Sequence, residues 1–287
     1  MMRIDLRRAF WSIFRSPSAL ISLIVLMILA ICAIFAPLLA PFDPLKTDLS
    51  NKLAGPDGQH VFGTDELGRD ILSRILFGLR YSLGIAIIVV IIAAIVGTLF
   101  GLLAAYYGGI VDLVMMRIVD IMLAFPSIIL SLVIVGLFGG GAFNLILALA
   151  ATQWPSYSRL VRSTVLSLKT TGYVENAKVL RAPTHWIIGR HILPNAQGPI
   201  IVLIALDIGH TILFAAAISF LGLGIQPPTP ELGLMIRSGV RYLTTAPHVA
   251  LFPGLFLSII VLAFNFLSDW VKECLHIGRD LLMEVES

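Results

Sequence analysis

The chain has 287 residues, of which 58% are hydrophobic and only 13% charged, and its mean hydropathy is +0.95. A soluble domain of this length needs far more polar surface, so the expected solvent is a lipid bilayer. A net charge of +3 is too mild for a nucleic-acid partner, and Cys32 and Cys274 offer neither a disulfide framework nor metal-ligand spacing.

Residues 1–16 read as a polar N-terminus, followed at 17–36 by the first apolar run long enough to span. About 20 residues rising about 1.5 Å each cross a hydrocarbon core of roughly 30 Å. The run is longer than a signal-peptide core and has no clear A-x-A cleavage site, so it is expected to remain as an anchor. The following loop, 37–80, ends in "ELGRDILSRILFGLR", where Leu67, Ile71, Leu72, Ile75, Leu76 and Leu79 fall at helical spacing. That pattern predicts an interfacial helix with Arg69, Asp70 and Arg74 off its apolar face. His60 and the neighbouring acids read as a solvated loop or, alternatively, a docking face.

A second span is expected within 81–111, where Gly97 and Gly101 make a small-xxx-small packing face. A third and a fourth share 121–158, with the turn at "GLFGGGAFN"; Pro126 should kink the third. Arg117 and Asp120, three residues apart, are expected to pair with each other near its end. A dense polar block follows, "YVENAKVLRAPTHWIIGRHILPN" at 173–195. Its punctuation predicts two short helices, 172–180 and 186–193, with Thr184 as the second N-cap. The fifth span is placed at 198–222 and carries Asp207 and His210 on one face. That pair can relay protons or touch a polar or cationic cargo, or else it forms a mutual hydrogen bond that fixes packing. After "GIQPPTPELG", Thr229-Pro230-Glu231 reads as N-cap, first-turn proline and acid, starting a helix towards Tyr242. The sixth span is 249–268, and 271–287 form the C-terminus.

Six crossings put both termini on one side. That side carries 13 of the 20 Lys and Arg residues, so the termini and the 172–195 block are expected in the cytoplasm. None of the five lysines stands in a G-x-x-x-x-G-K-[ST] context, and no H-E-x-x-H or G-x-S-x-G occurs, so neither ATP hydrolysis nor an embedded enzyme is expected of this chain. An ion-gradient-driven transporter or channel remains as the alternative class; it leaves the polar block unexplained.

The 173–195 block resembles the coupling loop of bacterial ABC-importer permeases, whose pattern is E-A-A, a Gly four residues later and a distal L-P. "FGTDELGRDILSRILFGLRYSLG", "VDIMLAFPSIIL" and "SFLGLGIQPPTPELG" are similar to the dipeptide, oligopeptide and nickel branch, and to its C-type subunit. The resemblance covers essentially the whole chain. It implies an all-α membrane protein of the type I importer fold with a permease core at 81–270, in a bacterial cytoplasmic membrane. It implies a companion permease, two ATPase subunits that use ATP and Mg, and a solute-binding protein; this chain itself binds no cofactor and has no catalytic residue. Docking to the ATPase is carried over to Tyr173, Glu175, Ala177, Lys178, Leu180, Arg181, Arg190, Leu193 and Pro194, with Val179, Leu180, Ile187 and Ile188 as buried anchors. The D-x-G-H at 207–210 and "QWPSYSRLVRSTVLSL" are closer to nickel and metal-chelate permeases than to dipeptide ones. Three positions depart from the pattern: Asn176 replaces the second Ala, Arg181 stands where the family has Gly, and Leu232 stands where many relatives have Trp.

Overall fold

The apolar runs become helices. A computed structural model describes residues 16–285, with side chains described for all of these except Lys178 and 275–285. Among the described residues there is no strand, only an isolated bridge between Thr64 and Asp70. The expected N-terminal segment, residue 16 apart, lies outside them.

The chain begins with α1 (Pro17–Ile34), which starts on a proline, and a single turn, α2 (Ala36–Leu39). A loop then leads to α3 (Ile71–Tyr107), 37 residues without a break. Asp70 starts it by accepting the Ser73 N–H at 2.7 Å, and Gly108 at φ +65° ends it. The interfacial helix expected over 66–80 is therefore not separate: residues 71–80 are the first turns of α3. Its apolar face, Ile71, Ile75 and Leu79, is buried in protein against Leu232, Met235 and Val249, and Arg69 and Arg74 are buried as well. A helical apolar stripe looks the same whether lipid or protein covers it.

α4 (Gly109–Leu123) and α5 (Ser127–Phe138) are bent by 86° at Pro126, which lacks an N–H to continue the ladder and pushes the preceding residue out of helical geometry. Gly139 and Gly141, both at positive φ, make the turn into α6 (Ala142–Lys169). The polar block forms α7 (Gly172–Val179), α8 (Thr184–Ile187) and a π-turn, Ile188–Ile192, that runs directly into α9 (Leu193–Phe220). The second short helix is thus the start of the fifth long one, and Pro183, not Thr184, is its N-cap. α10 (Leu232–Val240) is capped by the Glu231 carboxylate, which accepts the Gly233 and Leu234 N–H groups at 3.0 and 2.9 Å, two residues later than the Thr229 cap expected. Burial pushes the Glu231 carboxyl above the usual range, opposed by those two amides. Finally α11 (His248–Val285) continues through the expected boundary at 270.

Four of these helices are long and apolar enough to cross a membrane, or five if α4 and α5 form one broken span. α6 has the length, but its polar residues face protein: Thr152 meets Ser131 at 2.9 Å and Gln153 accepts from Thr211 at 3.0 Å. Along α6, Gly97 and Gly101 bring α3 so close that a Cβ at either would collide with the backbone at Trp154 or Ser158. The expected small-residue face is a helix contact.

All four apolar clusters include α3. Ile71, Ile75 and Leu79 meet α1, α10 and α11; Val89 meets α5, α6 and α9; Val90 and Ala93 enclose Tyr157; Leu102 and Ala105 meet α7 and the α8–α9 junction. One helix therefore joins the loop end of the molecule, around residues 42–74, to the elbow end, around 172–193.

Candidate functional site

At the elbow, α7 stops in a Schellman turn. The Ala182 N–H donates to Ala177 O at 3.0 Å, six residues closing on one, and Arg181 takes the left-handed conformation at φ +58°. This is the position where the family pattern has glycine, and here an arginine adopts the geometry glycine would give, at a cost of about 1–2 kcal/mol for its Cβ. The departure noted in the sequence changes the side chain, not the shape of the turn. Ala177 and Ala182 make the apolar contact that accompanies such a turn. Pro183 then prevents α7 from resuming, and its carbonyl accepts from Trp186 and Ile187 N–H to start α8.

The elbow is bolted to the bundle on its inner face. Val174, Ala177, Ile187 and Ile192 are buried against Leu102, Val161 and Val165. Tyr106 Oη donates to Thr184 Oγ1 at 2.8 Å, and Lys169 Nζ donates to Ala105 O and Tyr106 O at 2.8 and 3.0 Å, a cation on the carbonyl end of α3. The His191 ring stands 4.9 Å from that of Trp186 and 5.7 Å from that of Tyr173.

Its outer face is unsatisfied. Val179 and Leu180 are 80% and 81% exposed, and Tyr173, Glu175, Arg181, Arg190 and Pro194 are exposed as well. Among the described residues, Glu175, Arg181 and Arg190 have no ion-pair partner. Leu193 is half-buried, and the Lys178 side chain is outside the described set. The structure therefore divides the expected anchors. Val179 and Leu180 are available to a partner, Ile188 is half-buried, and Ile187, only 2% exposed, is used up inside the chain.

The expected pair on the fifth long helix is looser than a hydrogen bond. His210 Nδ1 is 3.9 Å from Asp207 Oδ1, with the His210 side chain 51% exposed. Asp207 faces the buried Tyr157 hydroxyl on α6 instead, although that hydroxyl makes no close hydrogen bond. Among the described residues no group of three or more His, Cys, Asp or Glu could hold a metal ion.

The structure also corrects the expected Arg117–Asp120 pair. Asp120 is taken by Arg159 of α6 at 2.7 Å, and about two turns away Asp112 holds Arg162 through two bonds of 2.5 and 2.6 Å. These bridges tie α4 to α6 across 39 and 50 residues. Only the runs of unpaired charge at 112–120 and 159–162 hinted at them.

At the opposite end, part of the region expected to be solvated is packed, while Asp43, Asp48 and Asp57 are exposed as expected. His60 Nδ1 lies 2.9 Å from Asp70, Asp65 accepts Arg69 Nε at 2.7 Å and stands 3.3 Å from Arg74 Nε, and Arg74 also donates to Pro44 O at 2.9 Å. His60, Asp65, Arg69, Asp70 and Arg74 are all buried. Beside them an open cleft of about 520 Å³ is lined by Pro41, Phe42, Pro44, Phe77, Tyr81 and Pro230.

Among the described residues this is an all-helical bundle with four or five membrane-length helices and a polar elbow at one end, as a multi-pass membrane transport protein would have. The comparisons with known proteins agree. Residues 97–276 match the model for the binding-protein-dependent transport system inner membrane component, and residues 6–56 match the N-terminal transmembrane domain of oligopeptide transport permease C. The chain is 43% identical to the dipeptide transport system permease protein DppC of Alkalihalophilus pseudofirmus, over 94% of this chain and 88% of that one. It is 42% identical to the glutathione transport system permease protein GsiD of Pectobacterium atrosepticum, over 93% and 90% of the two chains. Among solved structures, an inward-facing form of the MetNI methionine ABC transporter superposes with a TM-score of 0.55 at 20% identity, covering 70% of this chain and 96% of that one. An amino acid ABC transporter crystallised with histidines gives 0.55 at 16% identity, covering 70% and 94%. The chain belongs to the binding-protein-dependent inner membrane permease family. It is a transmembrane permease subunit of an ABC importer of the peptide and oligopeptide kind.

Proposed function

We propose that the chain crosses the bacterial cytoplasmic membrane six times, α4–α5 and α6 counted as spans, with both termini and the elbow in the cytoplasm. The excess of Lys and Arg on that side supports the orientation. It forms half of a pathway with a companion permease, and a solute-binding protein delivers cargo from outside. ATP and Mg are used by two ATPase subunits docked at the elbow and not by this chain. When those subunits close on ATP, they push Tyr173–Pro194 and rock the bundle between inward- and outward-facing states.

The observation that carries this reading is the two-faced elbow: an inner face packed on the bundle, and an outer face presenting Val179, Leu180, Glu175, Arg181 and Arg190 with nothing among the described residues to receive them. Apolar tips ringed by unpaired charge match the core and rim of a protein interface. The cargo proposed is a short peptide, dipeptide or glutathione-like, after the relatives at 42–43% identity, in preference to nickel or a metal chelate. His210, half-exposed on the fifth long helix, is proposed as a pathway contact.

Uptake of a labelled dipeptide and of glutathione into cells expressing the full importer tests the cargo. ATP-dependent uptake of either supports it, and uptake of nickel alone refutes it. For the coupling role, Glu175→Arg is expected to insert normally but to co-purify with less ATPase subunit; full co-purification contradicts it.

A further inference from the structure

We infer that Arg181 determines which ATPase subunit the elbow accepts, by presenting a cation to a carboxylate at the rim of an apolar groove on that subunit. The inference rests on the proposal that the elbow is the docking handle, and adds the chemistry of what it docks into.

Three observations converge on one residue. Arg181 sits at the left-handed position of the Schellman turn, where an L side chain is disfavoured and glycine or asparagine would fit more easily. Its side chain is exposed and has no ion-pair partner among the described residues, so no described side chain offsets the backbone cost. It also follows directly on Val179 and Leu180, the two most exposed apolar side chains of the elbow. A cation beside an apolar pair at the apex of a turn is a plug with a charged collar.

The elbow's sequence also carries Lys178, His185, Arg190 and His191 against one acid, Glu175, so the complementary surface is acidic. A membrane surface fits less well. The elbow's broad apolar face is already buried against Leu102, Val161 and Val165, which leaves only the narrow Val179–Leu180 tip, suited to a groove more than to a flat leaflet. Within this assembly a groove on the nucleotide-hydrolysing subunit is the occupant that meets both the plug and the collar.

The test uses the complete permease pair in lipid nanodiscs and measures ATPase-subunit binding across a salt series for the wild type, Arg181→Lys, Arg181→Asn, Arg181→Gly, Arg181→Glu and Leu180→Asp. Arg181→Asn and Arg181→Gly both tolerate the turn, so neither confounds charge with backbone strain. Each is expected to weaken binding roughly tenfold and to flatten its salt dependence, while Arg181→Lys keeps the salt dependence of the wild type. Arg181→Glu should weaken binding further and be restored by a Lys in place of one groove carboxylate on the ATPase subunit. Unchanged affinity and salt dependence in both Arg181→Asn and Arg181→Gly overturn the inference. A loss that disappears in nanodiscs of purely zwitterionic lipid also overturns it, by assigning Arg181 to lipid headgroups. Leu180→Asp separates the two levels. If it abolishes binding while Arg181→Asn does nothing, the elbow docks without using its cation; if Leu180→Asp binds normally, the docking proposal itself fails.

Discussion

The two ends of the molecule treat charge in opposite ways. At the loop end, His60, Asp65, Arg69, Asp70 and Arg74 are buried and matched to one another. At the elbow end, Glu175, Arg181 and Arg190 stand exposed, without ion-pair partners among the described residues, beside two bare apolar side chains. A buried charge left unpaired is costly, so the loop end must be finished within the chain, whereas exposed charges can wait for another protein. The first arrangement holds the fold, and the second leaves a surface on which the proposed docking can occur. Sequence composition alone made both regions look alike, as polar stretches between apolar runs.

Substitutions that expose this contrast differ in size. The largest effect is expected from Asp65→Ala, which removes the buried carboxylate shared by Arg69 and Arg74 and the acceptor for the Leu67 and Arg69 N–H groups. A loss of about 3–5 kcal/mol should appear as a lower midpoint of thermal unfolding and poor recovery of folded protein; a midpoint equal to the wild type would mean the loop end is not built on that carboxylate. Next comes the joint between the ends. Gly97→Leu must force α3 away from Trp154 and Tyr157 on α6, for about 1–3 kcal/mol, read from the same unfolding curve. Arg162→Ala should cost about 1 kcal/mol, because its two bonds to Asp112 are only partly shielded from water. Smallest is Val179→Ser with Leu180→Ser, expected to leave stability within about 0.5 kcal/mol while reducing ATPase co-purification. If that double variant unfolds early instead, the elbow is a structural element and the contrast between the ends is lost.

Much of this was legible beforehand. Apolar runs located the long helices because a bilayer asks for length and little else, and the charged block at 173–195 identified the elbow. What escaped were pairings set in three dimensions. Asp120 chose Arg159, 39 residues away, over Arg117 at three, because α6 lies alongside α4 while side chains on one helix must compete with whatever packs there. Arg69 and Arg74 were placed outward by pattern, since no local rule announces that Asp65 and Pro44 O will fold back to receive them. Arg181 was visible as a departure from glycine. That it would keep glycine's conformation could be seen only from the backbone.

The length of α3 has a consequence of its own. At about 1.5 Å per residue its 37 residues make a rod of about 55 Å, far longer than a hydrocarbon core of roughly 30 Å. One tip is fastened to the elbow by Tyr106 and to the end of α6 by Lys169, and the other is set into the loop by Asp70 and Arg74. A tilt of about 5° about its middle would move each tip by about 2 Å in opposite directions. If the elbow takes the stroke proposed for it, that stroke would reach the loop end as the swing of this single beam.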